Sequence, residues 1–351
     1  MTIRVTGVSL PNDEVVDLTV ADGKWVEEYS FGLETDLRIE GWVLPGLVDV
    51  HTHPGATKPG EPLNEKLLRE ELVRDIDHGV IAIRSPGLAG NPPDWFGKDP
   101  ELPYAVHAGP WLAKPGQFIT GWGKRVSDQD FPRTAAAQAA ASGWCKITAD
   151  WGIDDEAVSP AVMKAIVEAV HAVGGRVAVH SQTSAGSFAA IKAGVDSLEH
   201  GMWLEEDLLD EMANKAIVLT PTLRVFEQSV DRFRAKEPSA KRSWYVDGTD
   251  RHPGLVRAAI AAGVTVLAGT DSADLTIGDE IRALAGAGLT PTQAIGTGSW
   301  LARSFLGLSN LVPGTSADAT IYAIDPRTDL RVLEHPDWVI ARGRVLRRPV
   351  G

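Results

Sequence analysis

Leu44-Pro45-Gly46-Leu47-Val48-Asp49-Val50-His51-Thr52-His53 is the stretch that decides the fold of this chain. A short apolar run, bounded by turn residues and closed by two histidines one residue apart, reads as a buried strand. Alternate residues of a strand point to the same side. The imidazoles of His51 and His53 can therefore reach one metal ion. Taken alone, such a pair is more often two ordinary core or surface histidines, so the case rests on what surrounds it.

Further apolar runs follow. With residues 42–50, the runs at 79–85, 102–108, 144–149, 176–180, 195–199, 216–221 and 264–270 make eight. Amphipathic segments lie between them, among them 64–77, 159–173, 205–215 and 254–262. Strand–helix alternation implies parallel strands with right-handed crossovers, and eight units match a (β/α)8 TIM-type barrel. The second unit is weak, because Pro92, Pro93 and Pro100 leave its helix short or absent. Lys146 sits in the fourth run, His180 closes the fifth, His200 the sixth and Asp271 the eighth. In a TIM barrel the C-terminal strand ends form the active-site face. The barrel expectation thus gathers His51, His53, Lys146, His180, His200 and Asp271 at one rim, an arrangement that chance placement does not explain.

The two ends of the chain read differently. Ile3–Val8 and Val15–Lys24 alternate apolar and polar residues around an Asp22-Gly23 turn, and Ala319–Pro326 and Trp338–Leu346 do the same. Such patterns are antiparallel strands. Neither end holds enough strands for a stable sheet. Residues 1–45 and 312–351 are therefore expected to pair into one small β-domain, a sandwich, leaving 46–311 as the barrel.

Composition narrows the function. The chain has 351 residues, 44% hydrophobic and 23% charged, with a formal net charge of −13. That is an ordinary globular balance, and its acidity disfavours nucleic acid and anionic membranes as partners. The single cysteine, Cys145, cannot form an internal disulfide and is read as packing. The N-terminal residues lack a signal-peptide pattern and no apolar run approaches spanning length. A cytoplasmic enzyme acting on a small molecule is expected, with assembly into a homo-oligomer left open.

The stretch from Leu44 to His53, Gly194-Val195-Asp196-Ser197-Leu198-Glu199-His200-Gly201, Ala268-Gly269-Thr270-Asp271-Ser272 and the tail Pro313-Gly314-Thr315-Ser316-Ala317-Asp318-Ala319 resemble signatures of the amidohydrolase superfamily. The resemblance spans essentially the whole chain and points to the branch holding imidazolonepropionase and the prolidase-like dipeptidases. It implies that His51 and His53 hold one metal and that His180 and His200 hold a second. Lys146, carboxylated on its amine, would bridge the two. Asp271 would ligate the first metal and take the proton of the nucleophilic water, with His200 also catalytic. Imidazole nitrogen and carboxylate oxygen suit Zn²⁺. A free ammonium beside two dications would be repelled, which favours a carbamate. If Lys146 stays unmodified, one metal remains on His51, His53, His180 and Asp271, and His200 is free for the substrate carbonyl.

The reaction expected from this set is hydrolysis of a C–N bond in an amide, dipeptide or cyclic amide. A deaminase of the superfamily usually carries a glutamate three residues after the fifth-strand histidine, and here that residue is Thr183. An esterase, lactonase or phosphotriesterase would use the same metals. A non-catalytic scaffold would typically have lost ligands. The loop Lys114–Trp122 departs from the glycine–histidine loop of the prolidase-like branch, which bears on substrate. Among the 11 tryptophans, Trp111, Trp122, Trp151 and Trp203 follow strand runs and are candidates for an aromatic-walled pocket. Arg224, in the basic insertion at 224–242, is a candidate for binding a substrate carboxylate. Arg84 is read as pairing inside the barrel. His107 faces either pocket or core, and His78, His171, His252 and His335 are read as structural or surface.

Overall fold

A computed structural model of the chain describes residues 2–26 and 35–349. Residues 27–34, within the expected small domain, lie outside the described residues. The strands are β1 (Ile3–Ser9), β2 (Glu14–Ala21), β3 (Lys24–Val26), β4 (Leu37–Leu44), β5 (Leu47–Asp49), β6 (Val80–Ser85), β7 (Tyr104–His107), β8 (Leu112–Ala113), β9 (Lys124–Arg125), β10 (Trp144–Thr148), β11 (Arg176–Ser181), β12 (Ser197–His200), β13 (Val218–Thr220), β14 (Ala319–Tyr322), β15 (Trp338–Ala341) and β16 (Arg344–Arg347).

Both chain ends enter one hydrogen-bonded sheet of order β16-β15-β14-β4-β1-β2-β3. Its buried positions, including Ile3, Val5, Val20, Trp25, Ile39, Val43, Ile321 and Ile340, form a core of their own. The sheet curls. Trp25 N–H donates to Thr315 O at 3.0 Å, Ala317 N–H to Gly23 O at 2.9 Å and Gly343 N–H to Ala317 O at 2.8 Å. The β3 edge thereby meets the turn between β15 and β16. Gly23 and Gly343, at φ +79° and +73°, let the two turns touch, since a Cβ on Gly343 would fall 2.4 Å from Gly23 Cα.

The middle of the chain is parallel, as strand–helix alternation requires. β5-β6-β7 form one sheet, and β13-β12-β11-β10-β8-β9 another. The third expected run is interrupted. β7 ends at His107, and β8 resumes after Pro110, which has no N–H to give to a ladder. The eighth run, 264–270, is not a regular strand. It makes a single parallel bridge, Leu219 to Val266, and its other bonds go elsewhere: Ala268 N–H to Thr297 O and Val50 N–H to Ala268 O. The alternation, parallel pairing and element order are those of a TIM-type α/β fold.

The helices α1 (Glu65–Asp77) and α3 (Pro160–Ala172) start where the sequence places them, capped by the side chains of Asn64 and Ser159. Between them, α2 (Phe131–Ser142) is an alanine-rich helix that the periodicity reading passed over. α4 (Ser184–Ala193) and α5 (Leu209–Asn214) follow β11 and β12. The basic insertion is helical: α6 (Leu223–Arg234) runs into α7 (Ala240–Ala261), and the two are pinned by Phe233 stacked on Tyr245 at 3.8 Å. α8 (Ile277–Gly286) opens on a capping box of Thr276 and Asp279. Among the described residues, no helix is long and apolar enough to cross a membrane.

Candidate active site

His51, His53, Lys146, His180, His200 and Asp271 line one cavity of about 300 Å³ at the C-terminal ends of the parallel strands. His51 Nε2 is 3.2 Å from His53 Nε2, and Asp271 Oδ1 lies 3.5 Å and 3.1 Å from those two atoms. The ring of His200 is 5.0 Å from that of His51 and 4.6 Å from that of His180. His51, His200 and Asp271 offer ligand atoms all within 4.8 Å of one another, a group able to hold a metal ion.

The orientation of the imidazoles is set from behind. His51 Nδ1 pairs with Glu199 Oε2 at 2.6 Å, His53 Nδ1 with Gly87 O at 2.6 Å and His200 Nδ1 with Thr222 Oγ1 at 2.8 Å. The carboxylate and the carbonyl can only accept, so Nδ1 is the protonated nitrogen of His51 and His53 and their Nε2 lone pairs face the cavity, while the Thr222 hydroxyl holds the ring of His200 in place. Burial, aided by Lys146, lowers the pKa of His51 to about 4, and burial holds His180 and His200 well below the usual imidazole range. These three rings are neutral at pH 7, as a metal ligand must be. His180 Nε2 and Lys146 Nζ are buried with no hydrogen-bond partner among the described residues. Uncommitted donor atoms of this kind are what a cation or a modified amine would satisfy. Burial pushes the Lys146 ammonium down to about 8. Asp271 is opposed by burial, but His51, His53 and Lys146 together hold its carboxyl below the usual range.

The backbone is strained where the site is built. His200, Asp271 and Thr222 have φ of +68°, +49° and +52°, a region that non-glycine residues rarely adopt. Asp271 N–H is tied to His51 O at 2.7 Å, and His252 Nε2 lies 2.8 Å from His200 O. Gly269 brings the chain against the first strand end, since a Cβ there would meet His51 Cβ at 2.5 Å.

Aromatic rings form the wall. Trp111 packs on His53 at 4.9 Å and on Phe118 at 5.2 Å, and Trp122 stacks on Trp111 at 5.4 Å. Phe118 meets Trp151 edge-on at 4.9 Å, and Trp151 reaches His180 at 5.0 Å. The arc runs from one histidine to another. Arg125 secures it, donating to Trp122 O and Ile119 O at 2.7 Å each, with its guanidinium over Phe118.

Trp203 and Arg224 are not among the residues lining this cavity. Trp203 packs against Gly248 of α7 under the guanidinium of Arg251, because a glycine on that helix leaves room for the indole. Arg224 is paired with Glu227 one turn along α6 at 2.5 Å. His107 packs on Phe96 instead of lining the cavity, and His252 is buried in a supporting role. Arg84 is buried and paired, as expected, donating to both oxygens of Glu199 at 2.9 and 3.0 Å and to Val50 O. Glu199 is the main residue that sequence reasoning passed over. It directly precedes His200, and side chains one residue apart on a strand face opposite ways, which points away from a shared site; the signal was a carboxylate inside an apolar run. Phe118 and Gln182 were also missed.

The profile of the amidohydrolase family matches residues 126–346. An uncharacterized protein of Mycobacterium tuberculosis is 36% identical over 361 aligned residues, covering 97% of this chain and 95% of its own. Ochratoxinase of Aspergillus niger is 32% identical over 191 residues, covering 52% of this chain and 39% of its own. The crystal structure of A. niger ochratoxinase superposes with a TM-score of 0.81 at 21% identity, covering 100% of this chain and 96% of that one. An Xaa-Pro dipeptidase superposes with a TM-score of 0.82 at 20% identity, covering 98% and 99%. This chain is an enzyme and belongs to the amidohydrolase family.

Proposed function

We propose that the chain is a metal-dependent hydrolase that cleaves the C–N bond of a small amide, dipeptide or cyclic amide carrying an aromatic or bulky apolar portion. The observation that carries this reading is the convergence of inward-facing imidazole nitrogens with Asp271 in one aromatic-walled cavity. His51, His53, His180, His200 and Asp271 would hold two divalent cations, Zn²⁺ by donor type, and Lys146 as a carbamate would bridge them. When bound, such cations supply Lewis-acid polarisation of a carbonyl and a more acidic water. Asp271 is the proton acceptor: its carboxyl is held ionised, and it sits beside His51 and His53. The aromatic arc excludes water and orients the apolar part of the substrate. A dipeptidase and an ochratoxinase among the similar proteins support a peptide-like bond.

We also infer that the barrel closes through the eighth run, where Leu219 N–H bonds Thr265 O and Leu267 N–H bonds Leu219 O, both at 2.9 Å. Residues 46–311 would then form the barrel, and 1–45 with 312–351 the small β-domain, a sandwich made by one curled sheet.

The test joins metal analysis to a substrate screen. Protein expressed with bicarbonate should approach two metal ions per chain, and Lys146→Ala should lose at least one. One ion regardless of bicarbonate would replace the bridged pair with a single-metal site. The metal-loaded enzyme is screened on N-acyl amino acids, dipeptides, cyclic amides, lactones and phosphotriesters. Turnover confined to lactones or phosphotriesters would overturn C–N hydrolysis.

A further inference from the structure

Two polar side chains in the cavity are not spent on the fold. Among the described residues, Thr148 Oγ1 is buried with no hydrogen-bond partner, and Gln182 lines the cavity with no side-chain hydrogen bond. Gln182 is held in place by its backbone, whose N–H donates to Asp150 Oδ1 at 2.7 Å. Asp150 in turn accepts from Ser181 Oγ and Thr183 Oγ1, each at 2.8 Å, so the turn after β11 is rigid. A side chain on a fixed backbone with a free donor and a free acceptor is suited to reading a ligand.

The cations around the cavity are in a different state. Lys114 lies 3.6 Å from Glu156 and 4.0 Å from Asp128. Arg125 is used by the carbonyls of Ile119 and Trp122, and Arg224 by Glu227. Lys146, the cation that does line the cavity, sits in the buried histidine group. Apart from Lys146, which the proposed function commits to the metal group, the free polar side chains away from the histidines are neutral, and most of the remaining wall is apolar: Ala56, Trp111, Phe118, Ile119, Trp122, Trp151 and Ala273, with Ser272. A charged group brought against such a wall loses water without gaining a partner.

We infer that the cavity selects an uncharged aromatic amide, with Gln182 as the specificity-determining residue, and that it discriminates against substrates bearing a free carboxylate beside the aromatic group. Gln182 matches the donor and acceptor of an amide, carbamate or urea group, and Thr148 supplies a second neutral contact. This inference rests on the proposed hydrolytic reading of the same cavity.

The experiment compares matched substrates on the metal-loaded enzyme: N-benzoylphenethylamine against N-benzoylphenylalanine, which differ by one carboxylate. The neutral amide should have a kcat/KM higher by at least about tenfold, the order expected when a buried charged group is left without a partner. Gln182→Leu should raise KM for the neutral amide several-fold with a smaller change in kcat, and Gln182→Arg should shift preference toward the carboxylate. Equal or better turnover of N-benzoylphenylalanine by the wild type would overturn the inference and leave C–N hydrolysis standing. An unchanged KM in Gln182→Leu would remove Gln182 from the role. The ester pair phenethyl acetate and O-acetyl-3-phenyllactate separates the two readings. Cleavage of esters but not amides overturns C–N hydrolysis, while the same charge comparison within the ester pair still supports or overturns the neutral cavity.

Discussion

His51 Nδ1 lies 2.6 Å from Glu199 Oε2, and both side chains are buried. Glu199 also accepts from Ser197 Oγ at 2.6 Å and from Arg84. Burial works against its ionisation, but Arg84, Lys146 and His51 hold its carboxyl well below the usual range. A buried anion is thus balanced by a buried guanidinium that rests over the rings of Trp144 and Phe305. The pair fixes the tautomer of His51 and raises its basicity toward whatever its other nitrogen meets.

Glu199→Gln is therefore expected to weaken metal retention by about 10–100-fold, measured by chelator competition. It should also destabilise the fold, because removing one partner strands Arg84; breaking a buried pair costs about 3–5 kcal/mol. Arg84→Met/Glu199→Gln should recover part of the stability but not the metal affinity. Recovery of both would mean that Glu199 serves packing alone.

A second expectation concerns pH. Glu280 of α8 accepts from the backbone N–H groups of Leu223 and Arg224 at 2.8 and 2.9 Å, joining α6 to α8. Burial raises its pKa from 4.5 to about 8 against the pull of those donors. The folded chain then binds more protons than the unfolded chain between these values, so this group's contribution to stability is full below about 4.5 and is lost as pH rises toward 8. Denaturant midpoints measured from pH 5 to 8 should fall more steeply for wild type than for Glu280→Gln. Equal slopes would rule out Glu280 as the titrating group.

Thr222 gives a third. Its hydroxyl holds His200 Nδ1 at 2.8 Å from a backbone with φ +52°. Thr222→Val keeps the shape and removes that partner, and activity should drop by about 10–100-fold, as for other groups that orient ligands. Thr222→Ser should restore most of it. A fully active Thr222→Val would show that the strand end positions His200 without help.

What could be read from the sequence follows from what strands and helices advertise. The histidines and Asp271 were legible because each closes an apolar run, and strand ends share one rim. Helices α1 and α3 were legible from period and caps. Trp203 and Arg224 were misplaced because position after a strand says which loop a residue is on, not which way it points. The Gly248 groove and Glu227, which decide their direction, lie 45 and three residues along the chain. Glu199 stayed hidden because its partner Arg84 is 115 residues away. The broken third and eighth runs were not visible either, since their hydrogen bonds go to partners the local pattern does not name.

Asp271 carries the last prediction. Its Oδ1 sits 3.1 Å from His53 Nε2 and 3.5 Å from His51 Nε2, and its N–H is anchored on His51 O. The left-handed backbone at φ +49° turns the side chain across the mouth of the cavity, an arrangement that costs energy unless the surroundings impose it. A carboxylate held there can take a proton, and Asp271→Asn keeps the size while removing that capacity. Loss of general base catalysis costs about 10²–10⁴-fold, so kcat should fall in that range with a smaller change in KM. His51, His53 and Lys146 favour the ionised form, so the wild-type acid limb of kcat/KM should lie below the ordinary carboxylate value of 3.8, with activity full above it and falling as pH drops through it. Asp271→Asn should lose that limb. Metal content measured on the same variant separates the two roles of the residue. A variant that keeps its metal and loses kcat identifies the base, one that loses both makes Asp271 chiefly a ligand, and one with near-normal kcat assigns the proton to another group.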